Sequence, residues 1–348
     1  MKLTTHLNYA GGFKEGVQEV VEMEKAGLDL IWVAEAYGFD SPSLMGYVAA
    51  LTEKVEIAAA ILPIYTRTPT LIAMTAAGID ALSDGRFHLG LGASGPQVIE
   101  GFHGVPYSAP LGRTREIVDI CRLLWRREAP LKYEGKVFHL PLPEDQGTGL
   151  GKSLKLIAKP VRSSIPIWIA SLGEKNVALT AEIADGWIPL FFIPERAKEV
   201  FGGALTAGRA KRSSSLGELM VTAGGIFAIG DDDATIKLRD SQRAVTALYV
   251  GGMGARGKNF YNELMVRYGF AKEAAIIQDL YLSGKKKEAE AAVPEKFLEL
   301  TTLCGPRSYV AERISALKEA GVTHLQLHPL PQGEQTKASL MEAVKTLM

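Results

Sequence analysis

The stretch Arg86–Gly104, RFHLGLGASGPQVIEGFHG, decides between two folds. Gly90, Gly92 and Gly95 satisfy the G-x-G-x-x-G pattern after a short apolar run, which in a dinucleotide-binding domain marks the first strand-to-helix turn. Such a fingerprint should open the first βαβ unit, with an acidic side chain roughly 20 residues further on, at the end of a second strand. Here three β-α units precede it, and Pro96 follows directly on the last glycine. The residues about 20 positions beyond are Arg115 and Glu116, inside a helical run. The pattern therefore reads as a small-residue turn at the end of a fourth strand, where backbone can approach a flat ligand closely.

Outward from that turn, strand and helix patterns alternate along the chain. KLTTHLNYA reads as a strand and FKEGVQEVVEMEKAG as an amphipathic helix closed by Gly27. LIWVAEA and VEIAAAILPIY follow as strands two and three, and Ser41-Pro42 reads as the N-cap and first-turn pair of the helix between them. Four β-α units are complete by about residue 128. Residues 129–164 break the rhythm, with a hairpin in LKYEGKVFHLPLP and a polar, Gly-rich tail. IPIWIASL, DGWIPLFF, LMVTAGGIFAIG and VTHLQLHPL supply four more strands. Residues 231–303 form a second, mostly helical excursion whose GKKKEAEAA run is an exposed helix face. Eight strands alternating with helices predict one (β/α)8 TIM barrel domain over 1–348 with these two insertions. An open doubly wound sheet with a helical second domain from about residue 231 is the alternative.

Composition narrows the partners. The chain has 348 residues, with 39 Lys and Arg against 39 Asp and Glu, so its net charge is zero. That removes a general electrostatic drive toward nucleic acid or an anionic membrane. Cys121 and Cys304 lie far apart, and no Cys/His spacing suits a metal, so a reducing cytoplasm is the expectation. No apolar run reaches the roughly 18 residues of a membrane span.

Strand parity then picks out side chains. Apolar residues of a barrel strand must meet the surrounding helices, so Leu3 and Leu7 face out while His6 and Asn8 face in. In the last strand Leu325 and Leu327 face out, leaving His324, Gln326 and His328 inward. The first and last strands are neighbours in a closed barrel, so His328 should meet His6 or Asn8 near the C-terminal mouth. Glu35 and Tyr37 stand at the end of strand two. Leaving several such polar groups buried without use costs about 1–3 kcal/mol each, which favours a functional cluster. His6 is the first candidate for proton transfer, with His328 and Glu35 as alternates. Ala170-Ser171 followed by Gly173 at a helix start, with Asn176 in its first turn, forms a candidate phosphate cradle.

Several stretches together resemble the bacterial-luciferase-like flavin and deazaflavin oxidoreductases, and most closely their coenzyme F420-dependent branch. They are AAILPIYTRTPTLIAMTAAGIDALSDGRFHLGLGASGPQV, the helix REIVDICRLLWRRE, IPIWIASLGEKNVALTAEIADGWI and AERISALKEAGVTHLQLHP. The resemblance implies a ring lying across the barrel mouth and a non-prolyl cis peptide in strand three, here Ala60–Ile61. It places Glu35, Ala93 and Ser94 beside the ring and the coenzyme phosphate on Ala170, Ser171, Leu172 and Gly173. Asn8 and Trp187 complete the expected cofactor contacts, Tyr37 and Tyr65 line the substrate pocket, and Gly251–Arg267 is a lid or a wall for the cofactor tail. The sugar-phosphate dehydrogenases of the branch carry Asp-His and Thr-Gly-Glu where this chain has Glu35-Ala36 and Ala93-Ser94-Gly95, which argues against glucose 6-phosphate. The expectation is hydride transfer to or from an organic substrate by a homodimer. The alternatives are an FMN-dependent monooxygenase and a non-catalytic flavin- or deazaflavin-binding protein.

Overall fold

The structure is a computed structural model that describes residues 1–8 and 11–348. Eight parallel strands form its centre: β1 (Lys2–Leu7), β2 (Leu30–Val33), β3 (Glu56–Ala59), β4 (Phe87–Gly92), β5 (Ile167–Ala170), β6 (Gly186–Ile188), β7 (Met220–Ile229) and β8 (His324–Pro329). Each pairs with the next, and β8 pairs with β1 through Lys2↔His324 and Thr4↔Gln326. The sheet is therefore a closed barrel, and the open-sheet alternative is excluded. Leu303–Gly305 adds a short strand, unforeseen in the sequence, beside the end of β7.

The two faces of each strand bury different material. Leu3, Leu7, Ile31, Val33, Ile57, Leu89, Leu91, Ile167, Ile169, Leu325 and Leu327 join the large core beneath the helices. Leu30, Trp32, Ala58 and Trp168 form a separate cluster inside the barrel, with Ala60, Ile188 and Met220 against it. Trp32 and Trp168 cross edge to face with ring centroids 5.2 Å apart. Gly186 makes room for that crossing, because a Cβ there would run into the Trp168 indole. The interior is thus plugged at mid-height, and only the upper end is left for chemistry.

Local signals set the element ends. The helix Phe13–Lys25 stops at Gly27, whose φ of 89° is cheap only for glycine, and the Leu28 N–H bonds back to the Met23 carbonyl. The helix Ser41–Leu51 starts one residue earlier than the Ser-Pro pair suggests: Asp40 is the N-cap, its carboxylate accepting from the Ser43 N–H at 3.1 Å. Thr68 caps Pro69–Leu82 in the same way. The first excursion holds the hairpin Tyr133–Glu134 with His139–Leu140, and the second is built of short helices between β7 and Leu303–Gly305.

Candidate active site

The glycines of the opening stretch now have a physical role. A Cβ at Gly90 would collide with the Ala59 carbonyl, and one at Gly92 would lie 2.7 Å from Ile61 Cγ1. Both glycines let β4 press against the end of β3, where the Ala60–Ile61 peptide is cis, as the resemblance implies. Beyond the cis bond the chain returns to pair Leu62–Pro63 with Leu91 and Gly92. Ala60 and Ala170 thus stand at the upper ends of β3 and β5 on the inward parity, giving a low floor of small side chains, whereas Ala93 follows Leu89 and Leu91 outward and packs against the core beneath the helices.

Above it, His6 and His328 stack with centroids 4.9 Å apart and planes 21° from parallel. Both are only partly covered and face the mouth. Burial, reinforced by neighbouring His328, lowers the His6 pKa to about 3, and burial alone lowers that of His328 to about 4. Both rings are therefore neutral near pH 7, able to exchange a proton with a ligand without starting as cations. Gln326 reaches up between them, its amide nitrogen 2.9 Å from His328 Nε2. Asn8 follows the end of β1 and is exposed.

Other candidates sit differently. Glu35 is not a free carboxylate: the Arg67 guanidinium donates to both of its oxygens, with Nη2 2.9 Å from Oε2. The Ser41 N–H donates to the same carboxylate at 2.8 Å. It anchors the β2 loop to the helix start, which leaves little reason for it to move a proton. Tyr65 is buried, and its hydroxyl donates to the Ser108 carbonyl at 2.8 Å, so its ring can form a wall but its O–H is spent. Tyr37 is 60% exposed beside Phe102 and remains free to meet a ligand.

Trp187 leaves the candidate set. It faces out of the barrel, 1% exposed, packed on Phe201 with centroids 4.9 Å apart, and its indole N–H donates to the Ser171 carbonyl. The Ser171 hydroxyl is likewise engaged, 2.8 Å from Thr180 Oγ1. Around Ser171 it is therefore the backbone that can hold a ligand. Ser94 contributes through its backbone too, with a φ of 57° directly after Ala93.

The candidate phosphate cradle is built from the loop after β5. The helix Glu174–Ile183 begins at Gly173 without a side-chain cap, so its first N–H groups and its dipole point to the mouth. Asn176 Oδ1, in that first turn, is buried without a partner among the described residues. The second excursion closes the cradle: Phe260 lies beside Gly173, and Arg267 Nη2 donates to the Leu172 carbonyl at 2.9 Å. The sequence marks Gly251–Arg267, with its terminal cation, as a wall or lid but not the loop that cation meets. Its placement depends on a contact across 95 residues, which no local pattern carries.

Four tyrosines join that excursion to the β3 and β4 loops. Tyr65 and Tyr107 have centroids 5.0 Å apart, and Tyr249 and Tyr261 4.8 Å. Burial, then the nearby Tyr249 and Tyr107 hydroxyls, push the Tyr261 pKa up, so it stays a neutral phenol. Among the described residues no group of His, Cys, Asp or Glu could hold a metal ion, and no helix is long and apolar enough to cross a membrane.

Small residues at the strand ends, paired neutral imidazoles and an uncapped helix N-terminus thus share one mouth of a closed barrel. The family model for luciferase-like monooxygenases matches residues 1–324, and the chain belongs to that family. It is 38% identical over 328 residues, 93% of each chain, to a Mycobacterium tuberculosis protein that bears the name "Putative coenzyme F420-dependent oxidoreductase". It is 27% identical over 323 residues to the 5,10-methylenetetrahydromethanopterin reductase of Archaeoglobus fulgidus, covering 91% of this chain and 90% of the relative. In structure it resembles the coenzyme F420-dependent tetrahydromethanopterin reductase of Methanopyrus kandleri, with a TM-score of 0.76 at 22% identity, covering 99% of this chain and 96% of that one.

Proposed function

We propose that the chain is a coenzyme F420-dependent oxidoreductase that transfers hydride between the deazaflavin and an uncharged organic substrate. The observation that carries this reading is the neutral His6–His328 pair above a floor of small residues, in a chain so close to an F420-dependent relative. The fit to the cofactor rests on the chain itself: Ala60 and Ala170 leave room for a flat ring, and the uncapped helix start at Gly173 with the Arg267 charge beside it suits a phosphate. When bound, the deazaflavin supplies the hydride chemistry. The residues of the chain orient the ring, exclude water with the tyrosine wall, and hold or accept the substrate proton at an imidazole nitrogen.

Among the described residues no lysine or arginine charge is among the groups that shift either imidazole. That agrees with Ala36 and with Ala93-Ser94-Gly95 in pointing away from a sugar phosphate at the reacting position. A homodimer also fits. The helices Ser41–Leu51 and Pro69–Leu82 carry one charged residue between them, Asp80, which is buried and paired with Arg162. Their outer faces expose Tyr47, Leu51, Leu71, Met74 and Leu82, a surface without self-repulsion.

Titrating the purified protein with F420 and with FMN tests the reading. Tighter binding of F420, with anaerobic bleaching or recovery of the deazaflavin band on a panel of alcohols and ketones, is expected. Tight FMN binding with oxygen consumption would replace it with the monooxygenase reading, which the family's other members make the natural second choice. Binding of either ring without turnover on any panel member would favour the non-catalytic reading.

A further inference from the structure

The geometry points to Gln326 as a positioning residue that forces opposite tautomers on His6 and His328, so that the mouth presents one ring lone pair beside one ring N–H. The inference rests on the reading of this mouth as the reaction site, and it extends that reading to the kind of group the site receives.

The argument begins with the count of partners. A neutral imidazole has one N–H and one lone pair, and whichever faces a neighbour fixes what is left for the other side. Gln326 follows the same parity as His328 and pairs with Thr4 on β1, two residues before His6. Its side chain thus lies directly beneath both rings. The amide nitrogen is 2.9 Å from His328 Nε2, and the same side chain acts on His6 so as to raise its pKa, the sense of an amide oxygen accepting from the ring N–H. With its nitrogen at His328 and an accepting contact at His6, the amide uses its N–H toward one ring and its carbonyl toward the other. The ring that accepts from the amide keeps its proton on the far nitrogen. The ring that donates to the amide keeps a lone pair there. In the orientation shown, His328 accepts at Nε2 and carries its proton on Nδ1, and His6 donates. Exchanging the amide oxygen and nitrogen swaps the two rings but leaves one of each kind.

The stacking geometry makes the pairing matter. At 4.9 Å between centroids the rings are close enough for their far nitrogens to meet a single substrate atom. A hydroxyl oxygen needs both functions at once, since it donates through its hydrogen and accepts through a lone pair. A carbonyl oxygen uses the N–H alone. The site is therefore matched to a substrate that passes between alcohol and carbonyl, with the lone-pair ring taking or returning the hydroxyl proton. Two rings of the same tautomer would serve only one side of that exchange.

The tautomers can be read directly from two-bond 15N–1H spectra of the full-length protein labelled at its six histidines. His6→Asn and His328→Asn spectra assign the two signals. In the native protein one ring is expected to hold its proton toward Gln326 and the other away from it, at pH 7. In Gln326→Glu the carboxylate can only accept, so both rings are expected to carry the proton toward position 326, and one of the two signatures inverts. In Gln326→Leu both signals should move to the averaged values of exchanging tautomers, which keeps the test alive if the glutamate variant does not fold. Native rings that both hold the proton toward Gln326, or both away, overturn the proposal, as does an unchanged pair of signatures in a folded variant. These spectra involve no coenzyme. Loss of the F420 reading would show instead as absent binding in the titration, with the tautomers intact.

Discussion

Two pairs of imidazoles face the inside of one barrel, and their surroundings separate chemistry from structure. His6 and His328 stack above the Trp32–Trp168 crossing, open to the mouth and tied to the protein through Gln326. His88 and His324 lie below it, 5% and 3% exposed. His88 Nδ1 accepts from the Trp168 indole at 3.0 Å, and His324 Nδ1 lies 2.8 Å from Thr323 Oγ1. Burial lowers all four pKa values; at His88 the nearby Arg162 and at His324 Lys2 act in the same sense, to about 3 and about 4. The same residue type on the same inward parity thus does different work at different heights, and a lowered pKa alone does not mark the reactive pair.

The sharpest way to break the comparison is to remove one ring from each layer. His6→Ala is expected to slow turnover by roughly 100-fold or more, the usual worth of a positioned acid or base, with urea unfolding little changed. The measurement is steady-state bleaching of the deazaflavin with whichever panel member proves a substrate; a change below twofold would return the proton to another group. His88→Leu should do the reverse. It strands the Trp168 N–H, so an unfolding free energy lowered by about 1–3 kcal/mol is expected, with turnover within about threefold.

Acid acts on both layers alike, because His6 at about 3 and His328 at about 4 are lowered as far as the lower pair. An unfolded histidine takes up its proton near pH 6.5, whereas the folded lower pair resists until about pH 4 for His324 and about 3 for His88. Their contribution is therefore complete above pH 6.5 and declines as pH falls toward 4, by about 1.4 kcal/mol per pH unit for each ring. Urea titrations between pH 7 and 4 should show that slope, and His88→Leu should reduce it. The smallest effect is expected from Glu35→Gln. It weakens the Arg67 clamp, which should lower stability by about 1–3 kcal/mol while turnover stays within about threefold. A turnover loss as large as that of His6→Ala would restore Glu35 to the proton path.

Much of this was legible in the chain. Alternation of apolar and polar residues in KLTTHLN and THLQLHP, together with barrel closure, placed His328 beside His6 or Asn8 across more than 300 residues, and the structure stacks it on His6. The same alternation put Gln326 inward but gave it no task, because a task requires knowing that its amide lies between two rings. Parity also bears on Trp187, which shares the outward face of β6 and packs on Phe201 beneath the helices. Glu35 looked available because its neutralising partner, Arg67, sits on another loop 32 residues away.

The sequence by itself determined the architecture and the direction in which each strand residue points, because hydrophobic periodicity is a local property that every turn of chain repeats. Which inward polar groups are spent and which are free was decided only in three dimensions. Arg67 on Glu35, Ser108 on Tyr65, Arg267 on the phosphate loop and Gln326 between the histidines are all contacts between segments whose spacing along the chain carries no regular period. A hydrogen bond depends on angles and distances of a few tenths of an ångström, and the packed barrel alone fixes those.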